Sequence, residues 1–332
     1  MGKTAEAESI LCLQPFLGAQ NQANRLGERS IMNIAGLFNP VWSRSDNLRD
    51  PSVYRGDDGV HHLFYSRYSN NDWTRPENWS VARVKTRDFI HYEDDRDISG
   101  KGFASPGDLV RYQGQFLLPY QSYPETPTRL CFSRSEDLIH FGDPEFFLEE
   151  AAHLPWNKAE RVIDPTFVVD GDRLHCFFVG TDRERYKTPT NLVGHAYTED
   201  PSLKRWEITT QEEPLIGACS EAPDGAENVS VFREKDTWIM IYSEGLVEQH
   251  LAFITSKDLL HWSGRQAIVL PRQAWMSEKY GAPYVWREDG LWLMILMGEN
   301  AGHQTTFGLL RSSDGLNWQL LPEKNTNAFS KG

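Results

Sequence analysis

Hydrophobic and polar residues alternate with a period of two along most of this 332-residue chain. That period is typical of antiparallel strands with one buried face. Residues 62–66, 174–178 and 238–243 are runs of this kind, rich in aromatic residues. Turn sequences separate the runs, as in Asp170-Gly171-Asp172, and no stretch keeps a helical period. The pattern predicts an all-β fold.

A short motif occurs five times, and its first residue is always an aspartate preceding a hydrophobic or turn residue. The five copies begin at Asp88, Asp137, Asp200, Asp258 and Asp314, which are 49, 63, 58 and 56 residues apart. Each interval is long enough for four short strands with their loops. Four-stranded sheets repeated around an axis form a β-propeller. The sequence therefore predicts a five-bladed β-propeller with four antiparallel strands per blade.

The repeats occupy one part of the chain. We predict a single propeller domain over residues 41–322. Residues 1–40 carry no repeat, and we expect this lead-in to pack on the propeller or to supply a strand that closes the ring. Residues 323–332 form a polar tail.

Three acids stand at the start of the first strand of a copy: Asp50, Asp164 and Glu227. Because the first strand of a blade lies closest to the axis, acids at equivalent positions should converge there. The matching positions in the other two copies, near Gly107 and Gly281, are small and would leave room for a sugar. We exclude Asp108 from this set, since a shift of one residue turns a strand side chain to the opposite face.

Converging carboxyl groups are the machinery of glycoside hydrolysis. One carboxyl group protonates the departing oxygen, and a second activates water or attacks carbon. A third acid nearby raises the pKa of the proton donor by repulsion between like charges. The rival candidate for the proton donor is Glu221, which the sequence places in a loop.

The order Arg-Asp-Pro, Ile-Asp-Pro and Ala-Glu at strand starts resembles the five-bladed glycosidases of family 43 and their clan relatives in family 32, over about residues 40–322. Family 117 is related in fold. The resemblance implies that Asp50 is the general base, Asp164 the pKa modulator and sugar anchor, and Glu227 the general acid. It further implies inversion at the anomeric carbon and exo action on an arabinofuranoside- or xyloside-like oligosaccharide. No cofactor is required, no metal ligand is assigned, and a structural calcium ion in the axial channel occurs in some members.

The chain departs from both families in its motifs. Family 43 usually has Glu-Gly-Pro where this chain has Glu227-Asn228-Val229, and an axial histidine where it has Tyr280-Gly281. The Asn-Asp-Pro-Asn and Glu-Cys motifs of family 32 are absent. Two alternatives stay open: a retaining fructosidase or transglycosidase with Asp50 as nucleophile, and a carbohydrate-binding propeller without turnover. A phosphorylase would need a cluster of basic residues around a phosphate beside the acids, and no such cluster is evident in the sequence.

Several residues are candidates for contact with the substrate. Tryptophans close to the first acid motif can stack on sugar faces, and polar side chains in nearby loops can bind hydroxyl groups. We predict substrate contacts for Trp42, Trp73, Asn71, Arg183 and His303. His303 would replace the missing axial histidine.

Composition limits the remaining partners. The net charge of −13 and the lack of basic runs argue against nucleic acid, and no apolar stretch is long enough to cross a membrane. The four cysteines have no metal or redox spacing. We expect an oligosaccharide as the partner and cytoplasmic residence by default, or a secreted or periplasmic protein if a signal peptide has been removed. The sequence does not specify the oligomeric state.

Overall fold

The computed structural model describes residues 33–70, 72–185 and 188–324, and these residues form four four-stranded sheets and one five-stranded sheet, all antiparallel. Blade one contains β1 (Asn47–Arg55), β2 (His61–Tyr68), β3 (Trp79–Thr86) and β4 (Tyr92–Asp97). Blade two contains β5 (Phe103–Ala104), β6 (Val110–Tyr112), β7 (Gln115–Ser122), β8 (Leu130–Ser135) and β9 (Glu145–Phe146). In blade two, β5 and β6 both pair with β7 and together take the place of one inner strand.

The other three blades follow the same order. Blade three contains β10 (Ile163–Asp170), β11 (Arg173–Asp182), β12 (Thr190–Thr198) and β13 (Glu207–Ile208). Blade four contains β14 (Ala226–Glu234), β15 (Thr237–Glu244), β16 (His250–Ser256) and β17 (Trp262–Ile268). Blade five contains β18 (Lys279–Glu288), β19 (Leu291–Glu299), β20 (Thr305–Ser312) and β21 (Gln319–Leu320). The predicted five-bladed propeller is confirmed.

Short 3₁₀ helices are the helical segments of the described residues: Ile34–Gly36, Pro76–Asn78, Glu149–His153 and Ala274–Met276. None of these described helices has the length and apolar composition needed to cross a membrane.

Apolar side chains from neighbouring blades form the core. Phe132 of blade two packs on Phe167 of blade three with ring centroids 6.1 Å apart, and Phe232 of blade four packs on Trp292 of blade five at 4.6 Å. Clusters of this kind lie between all five successive pairs of blades, including blades five and one. Because each blade is held by both neighbours, the inner strands keep a fixed arrangement around the axis.

Residues just before β1 join the two ends of the propeller. The Asn39 N–H donates to the Pro322 carbonyl at 2.8 Å, and the Val41 N–H donates to the Phe307 carbonyl at 2.8 Å. The buried Asn39 amide also donates to the Leu309 carbonyl at 3.0 Å. The described part of the lead-in, residues 33–40, therefore contacts blade five, whereas residues 1–32 lie outside the described part of the chain.

Candidate active site

In each blade, the inner strand has one residue with a positive φ, in the left-handed region of the Ramachandran plot, where its regular strand pairing is interrupted. The five residues have φ between 48° and 53° and are Asp50, Ser105, Asp164, Asn228 and Ala282. Proline follows four of them. Left-handed backbone in residues other than glycine is uncommon and clusters at functional sites. These five residues, called here the axial positions, are the equivalent points of the five blades.

The axial positions correct the prediction that the three acids are equivalent. The register shifts lie between Arg49 and Ser52 in blade one and between Glu227 and Ser230 in blade four. Glu227 therefore corresponds to Arg49, one residue before the axial position, which Asn228 occupies. The one-residue difference was hidden because the sequence has no proline after Asn228 to mark the bulge.

The residues at the equivalent positions of blades two and five also differ from those predicted. The axial positions of blades two and five are Ser105 and Ala282, not Gly107 and Gly281. A Cβ atom on Gly107 would lie 1.7 Å from the Pro165 carbonyl oxygen, so this glycine allows two inner strands to approach closely. A Cβ atom on Gly281 would lie 2.2 Å from Oε1 of Gln249. Both glycines accommodate protein atoms rather than leaving space for a sugar.

The three predicted acids nevertheless share one cavity of about 260 Å³. It is lined by Arg49, Asp50, Tyr68, Trp73, Trp79, Ala104, Ser105, Gln121, Tyr123, Arg161, Ile163, Asp164, Glu227 and Asn228. A narrower space of about 30 Å³ follows the axis below it and reaches Asp108.

Asp50 is held by hydroxyl groups from two blades and an amide from a third. Ser66 Oγ and Ser105 Oγ donate to its Oδ2 at 2.7 and 3.1 Å, and Asn228 Nδ2 donates to its Oδ1 at 3.4 Å. Burial raises the pKa of Asp50, and the hydrogen bond from Ser66 is the largest opposing effect. These donors fix the carboxyl group in one orientation toward the cavity.

Asp164 lies across the axis and is buried. Burial raises its pKa well above the usual range for aspartate, and the nearby charges of Glu227 and then Asp50 raise it further. The Asp164 N–H donates to Gln121 Oε1 at 2.7 Å, and Gln121 Nε2 donates to Ser105 Oγ at 3.1 Å. A chain of hydrogen bonds through blade two therefore joins Asp164 to Asp50.

Glu227 has two amide partners. Asn191 Nδ2 donates to Oε2 at 2.7 Å, and Gln249 Nε2 donates to Oε1 at 2.9 Å. Thr181 Oγ1 donates to Asn191 Oδ1 at 2.8 Å and so orients that amide toward the glutamate. Asn191 and Gln249 are both buried, so they hold Glu227 in a defined position beside Asp164.

Asp108 lies below the acids in the narrow axial space. Burial raises its pKa well above the usual range, and the Val231 N–H and the Ser230 hydroxyl oppose this effect. The Ser230 hydroxyl donates to it at 3.5 Å. Asp108 lines the 30 Å³ space together with Asp50 and Asp164, but it does not line the 260 Å³ cavity that also holds Glu227.

The resemblance suggested a structural calcium ion in the axial channel. Calcium takes six to eight oxygen ligands. Among the residues described, no group of three or more His, Cys, Asp or Glu side chains has the arrangement of a metal site. The calcium ion stays a prediction.

Of the five predicted substrate contacts, one lines the cavity, one lies outside the described residues, and three lie away from the cavity wall. Trp73 lines the cavity and is 60% exposed, whereas Asn71 lies outside the described residues. The structure does not bring Trp42, Arg183 or His303 to the cavity wall. Trp42 instead packs on Tyr92 of blade one, with ring centroids 4.1 Å apart, and its backbone pairs with Phe307 of β20 in blade five.

His303 and Glu221 also lie elsewhere. His303 is exposed, and its Nδ1 is 2.8 Å from Glu299 Oε1, so it does not stand at the axis. Glu221 is exposed, accepts a hydrogen bond from Ser220 and does not line the cavity of the three acids. Among the two glutamates considered for the proton donor, Glu227 alone is in place.

Sequence reasoning missed most of the residues that position the acids. They are Ser66, Ser105, Gln121, Asn191, Asn228 and Gln249, together with the cavity arginines Arg49 and Arg161. One signal was available, because Ser105-Pro106 repeats the Asp-Pro pattern with serine in place of the acid. The others come from strands, or from residues just before strands, whose alignment around the axis only the fold reveals.

Comparison with solved structures supports the fold assignment. An alpha-L-arabinofuranosidase from Lactobacillus brevis superposes with a TM-score of 0.64 at 11% identity, covering 88% of this chain and 99% of that one. A thermostable family-43 glycoside hydrolase superposes with a TM-score of 0.63 at 13% identity, covering 87% and 99%. At these identities the likeness shows the shared propeller.

Comparison of sequences gives the family. A sucrose-6-phosphate hydrolase from Zymomonas mobilis subsp. mobilis is 29% identical over 196 residues, which are 54% of this chain and 36% of that protein. This chain thus matches well under two thirds of the relative's length. Residues 101–280, more than half of the chain, match the model of the glycosyl hydrolases family 32 N-terminal domain. The protein therefore belongs to the family of glycosyl hydrolase family 32 N-terminal domains, within the clan that its acid motifs resemble.

Proposed function

We propose that this protein is an exo-acting glycosidase that removes a terminal sugar from an arabinofuranoside- or xyloside-like oligosaccharide. The observation that carries the proposal is the convergence of Asp50, Asp164 and Glu227 on one cavity at the propeller axis. Membership of a glycosyl hydrolase family supports the reaction class. Exo action is supported by the size of the cavity, since about 260 Å³ is less than the roughly 300–1,000 Å³ of pockets for drug-sized ligands.

Glu227 is the proposed general acid. It transfers its proton to the glycosidic oxygen as the bond from that oxygen to the anomeric carbon breaks. The charges of Glu227 and then Asp50 raise the pKa of Asp164 beyond the effect of burial, so the three carboxyl groups lie close enough to interact electrostatically. Gln249 can rotate its amide to accept a hydrogen bond from the protonated Glu227.

Asp50 is the proposed base. It takes a proton from water while the water oxygen bonds to the anomeric carbon, so the anomeric configuration inverts. The donors Ser66 and Ser105 leave its carboxylate oriented, and Asn228 bridges it to the strand that carries Glu227. After the reaction Asp50 holds a proton and Glu227 is ionised, and exchange with water restores both.

A second candidate is a retaining fructosidase, with Asp50 as the nucleophile. The family 32 match and the name of the Zymomonas relative favour it. In this reaction Asp50 forms a bond to the anomeric carbon, and Glu227 first protonates the leaving oxygen and then deprotonates the attacking water.

One experiment tests the function and separates the candidates. The wild-type protein is incubated with aryl arabinofuranosides, xylosides and galactosides and with sucrose and fructose oligomers, and the first-formed anomer is recorded by proton NMR. Turnover of an arabinofuranoside or xyloside with inversion supports the first candidate. Turnover of a fructoside with retention supports the second. Full activity in both Asp50→Asn and Glu227→Gln would contradict the site in either case.

A further inference from the structure

Two arginines of the cavity form no salt bridge with a described carboxylate, although their charges act on Asp50, Asp164 and Glu299. Arg49 and Arg161 line the same cavity as the acids, and within the described chain neither forms an ion pair with a carboxylate. Other partly buried arginines do pair: Arg67 contacts Asp95 at 2.6 Å, and Arg265 contacts Glu244 at 2.7 Å. An unpaired guanidinium group at a half-buried site keeps up to five N–H donors free for a ligand.

The two guanidinium groups act on one region of the cavity. Arg49 precedes the axial residue of blade one, and Arg161 precedes β10 of blade three. Tyr123 of blade two lines the cavity as well. Burial raises the pKa of the Tyr123 hydroxyl, and the charges of Arg161 and Arg49 are the effects that oppose it. Both positive charges therefore act on Tyr123, which lines the cavity together with the two arginines.

The charge of Arg49 lowers the pKa of Asp50 and that of Arg161 lowers the pKa of Asp164, but neither guanidinium group binds a carboxylate directly within the described chain. An arginine that compensates a carboxylate usually binds it directly through two parallel hydrogen bonds. Here Asp50 is bound by Ser66, Ser105 and Asn228 instead. The N–H groups of Arg49 and Arg161 consequently remain available to a molecule in the cavity.

We propose that Arg49 and Arg161 bind an anionic substituent of the sugar, so that the substrate is an acidic glycoside carrying a carboxylate or a phosphate monoester. The planar guanidinium group matches both kinds of anion with paired hydrogen bonds. An anionic sugar would otherwise be repelled by the three acids, and two unpaired cations in the same cavity offset that repulsion. This inference rests on the proposed function, because it names the substrate class of the same site.

A binding experiment tests the inference without requiring turnover. Dissociation constants are measured calorimetrically for galacturonate against galactose and for glucose 6-phosphate against glucose. In at least one pair the anionic sugar should bind about ten-fold or more tightly, a difference of roughly 1.4 kcal/mol. The pair that shows the preference identifies carboxylate or phosphate as the anion. The preference should weaken as NaCl is added, since salt screens the attraction.

Matched variants locate the preference. Arg161→Gln and Arg49→Gln should bring the anionic and neutral sugars to similar affinities, and Arg161→Lys should keep part of the difference. Arg311→Gln removes an exposed arginine on β20, outside the cavity, and should leave the preference unchanged. Melting curves confirm that each variant is folded.

Two results would overturn the inference. One is the absence of any anion preference in both pairs, including no binding of either anion at about 10 mM. The other is a preference that survives in both glutamine variants. Either result leaves the hydrolysis of neutral glycosides to be judged separately by the substrate panel, so failure here is distinguishable from failure of the proposed function.

Discussion

The inner bulges and the outer turns of the propeller each occur five times. The bulges share a backbone conformation, whereas the turns share their residues. At the axis the backbone conformation is the same in every blade, while the residues differ: Asp50, Ser105, Asp164, Asn228 and Ala282. At the outer turns between the third and fourth strands, the residues themselves recur. The motif begins with aspartate in all five copies and has histidine three residues later in three of them.

The outer turns show why their residues recur. Asp258 Oδ1 accepts the N–H groups of Leu260 and His261 at 2.9 and 2.8 Å, and its Oδ2 lies 2.8 Å from His261 Nδ1. Ser256 Oγ accepts the Leu259 N–H at 3.0 Å. All these bonds are local, so each blade needs the same residues to make the same turn. At the axis five blades face one cavity, and each can supply a different chemical group.

The largest contrast is expected from the same substitution at the two places. Asp50→Asn should lower kcat/KM by about 10³-fold, because the amide cannot accept a proton or attack carbon. Asp88→Asn at an outer turn should change kcat/KM by no more than about two-fold, as expected for a surface change. Initial rates on the best substrate of the panel measure both. Comparable losses in the two variants would mean that Asp50 acts through folding.

A smaller effect is expected from a methyl group next to the site. Gly281→Ala would place a Cβ atom 2.2 Å from Gln249 Oε1 and so displace the amide that holds Glu227. We expect kcat to fall by about 10- to 100-fold, with KM less affected, because a proton donor is misplaced rather than removed. Gly100→Ala is the matched control, since nothing lies within 4 Å of its Cβ position. An unchanged kcat in Gly281→Ala would show that Gln249 does not position Glu227.

The free energy of unfolding should depend on pH in a way that shows the cost of burying an ionised carboxylate at the axis. The folded-state pKa of Asp164 is raised, so this group binds protons more tightly in the folded protein, and its contribution to stability is lost as pH rises through that pKa. Asp164→Asn should therefore be more stable than wild type at pH 8. Its free energy of unfolding should be higher by on the order of 1–3 kcal/mol, and its melting temperature should be higher as well. The gain should shrink toward pH 4. A gain independent of pH, or none, would contradict the raised pKa.

At an outer turn we expect stability to depend on pH in the opposite direction, and we expect the smallest effect of the four substitutions. Partial burial raises the pKa of Asp88, but hydrogen bonds from the His91 side chain and from the backbone N–H groups of His91 and Ile90 outweigh it and lower the pKa to about 2. A lowered folded-state pKa contributes stability above the unfolded value that is lost as pH falls. Asp88→Ala should cost about 0.5–1 kcal/mol at pH 7 and less at pH 3, without loss of activity. Urea unfolding at both pH values measures the difference.

Sequence reasoning succeeded where the chain repeats itself. The Asp motifs fixed the number of blades because their bonds are local, and the period of two identified the strands. Asp50 and Asp164 were assigned to equivalent positions because Asp-Pro marks the bulge in both.

It failed where several blades combine. Glu227 was aligned one residue out of register, since Asn228 is not followed by proline. Asn191 lies in β12 and Gln249 lies just before β16, and no sequence spacing shows that both reach Glu227. The convergence of Arg49 and Arg161 was invisible for the same reason, because it depends on the ring bringing blades one and three to one cavity.

The most direct test of the central claim is the dependence of the Glu227→Gln variant on the leaving group. With an aryl glycoside of a weakly acidic phenol, which needs a proton to depart, we predict a loss of about 10³-fold or more in kcat/KM. With a dinitrophenyl glycoside of the same sugar, whose leaving group needs no proton, we predict activity within about ten-fold of wild type. Equal losses on both substrates would contradict the assignment of Glu227 as the general acid of this propeller.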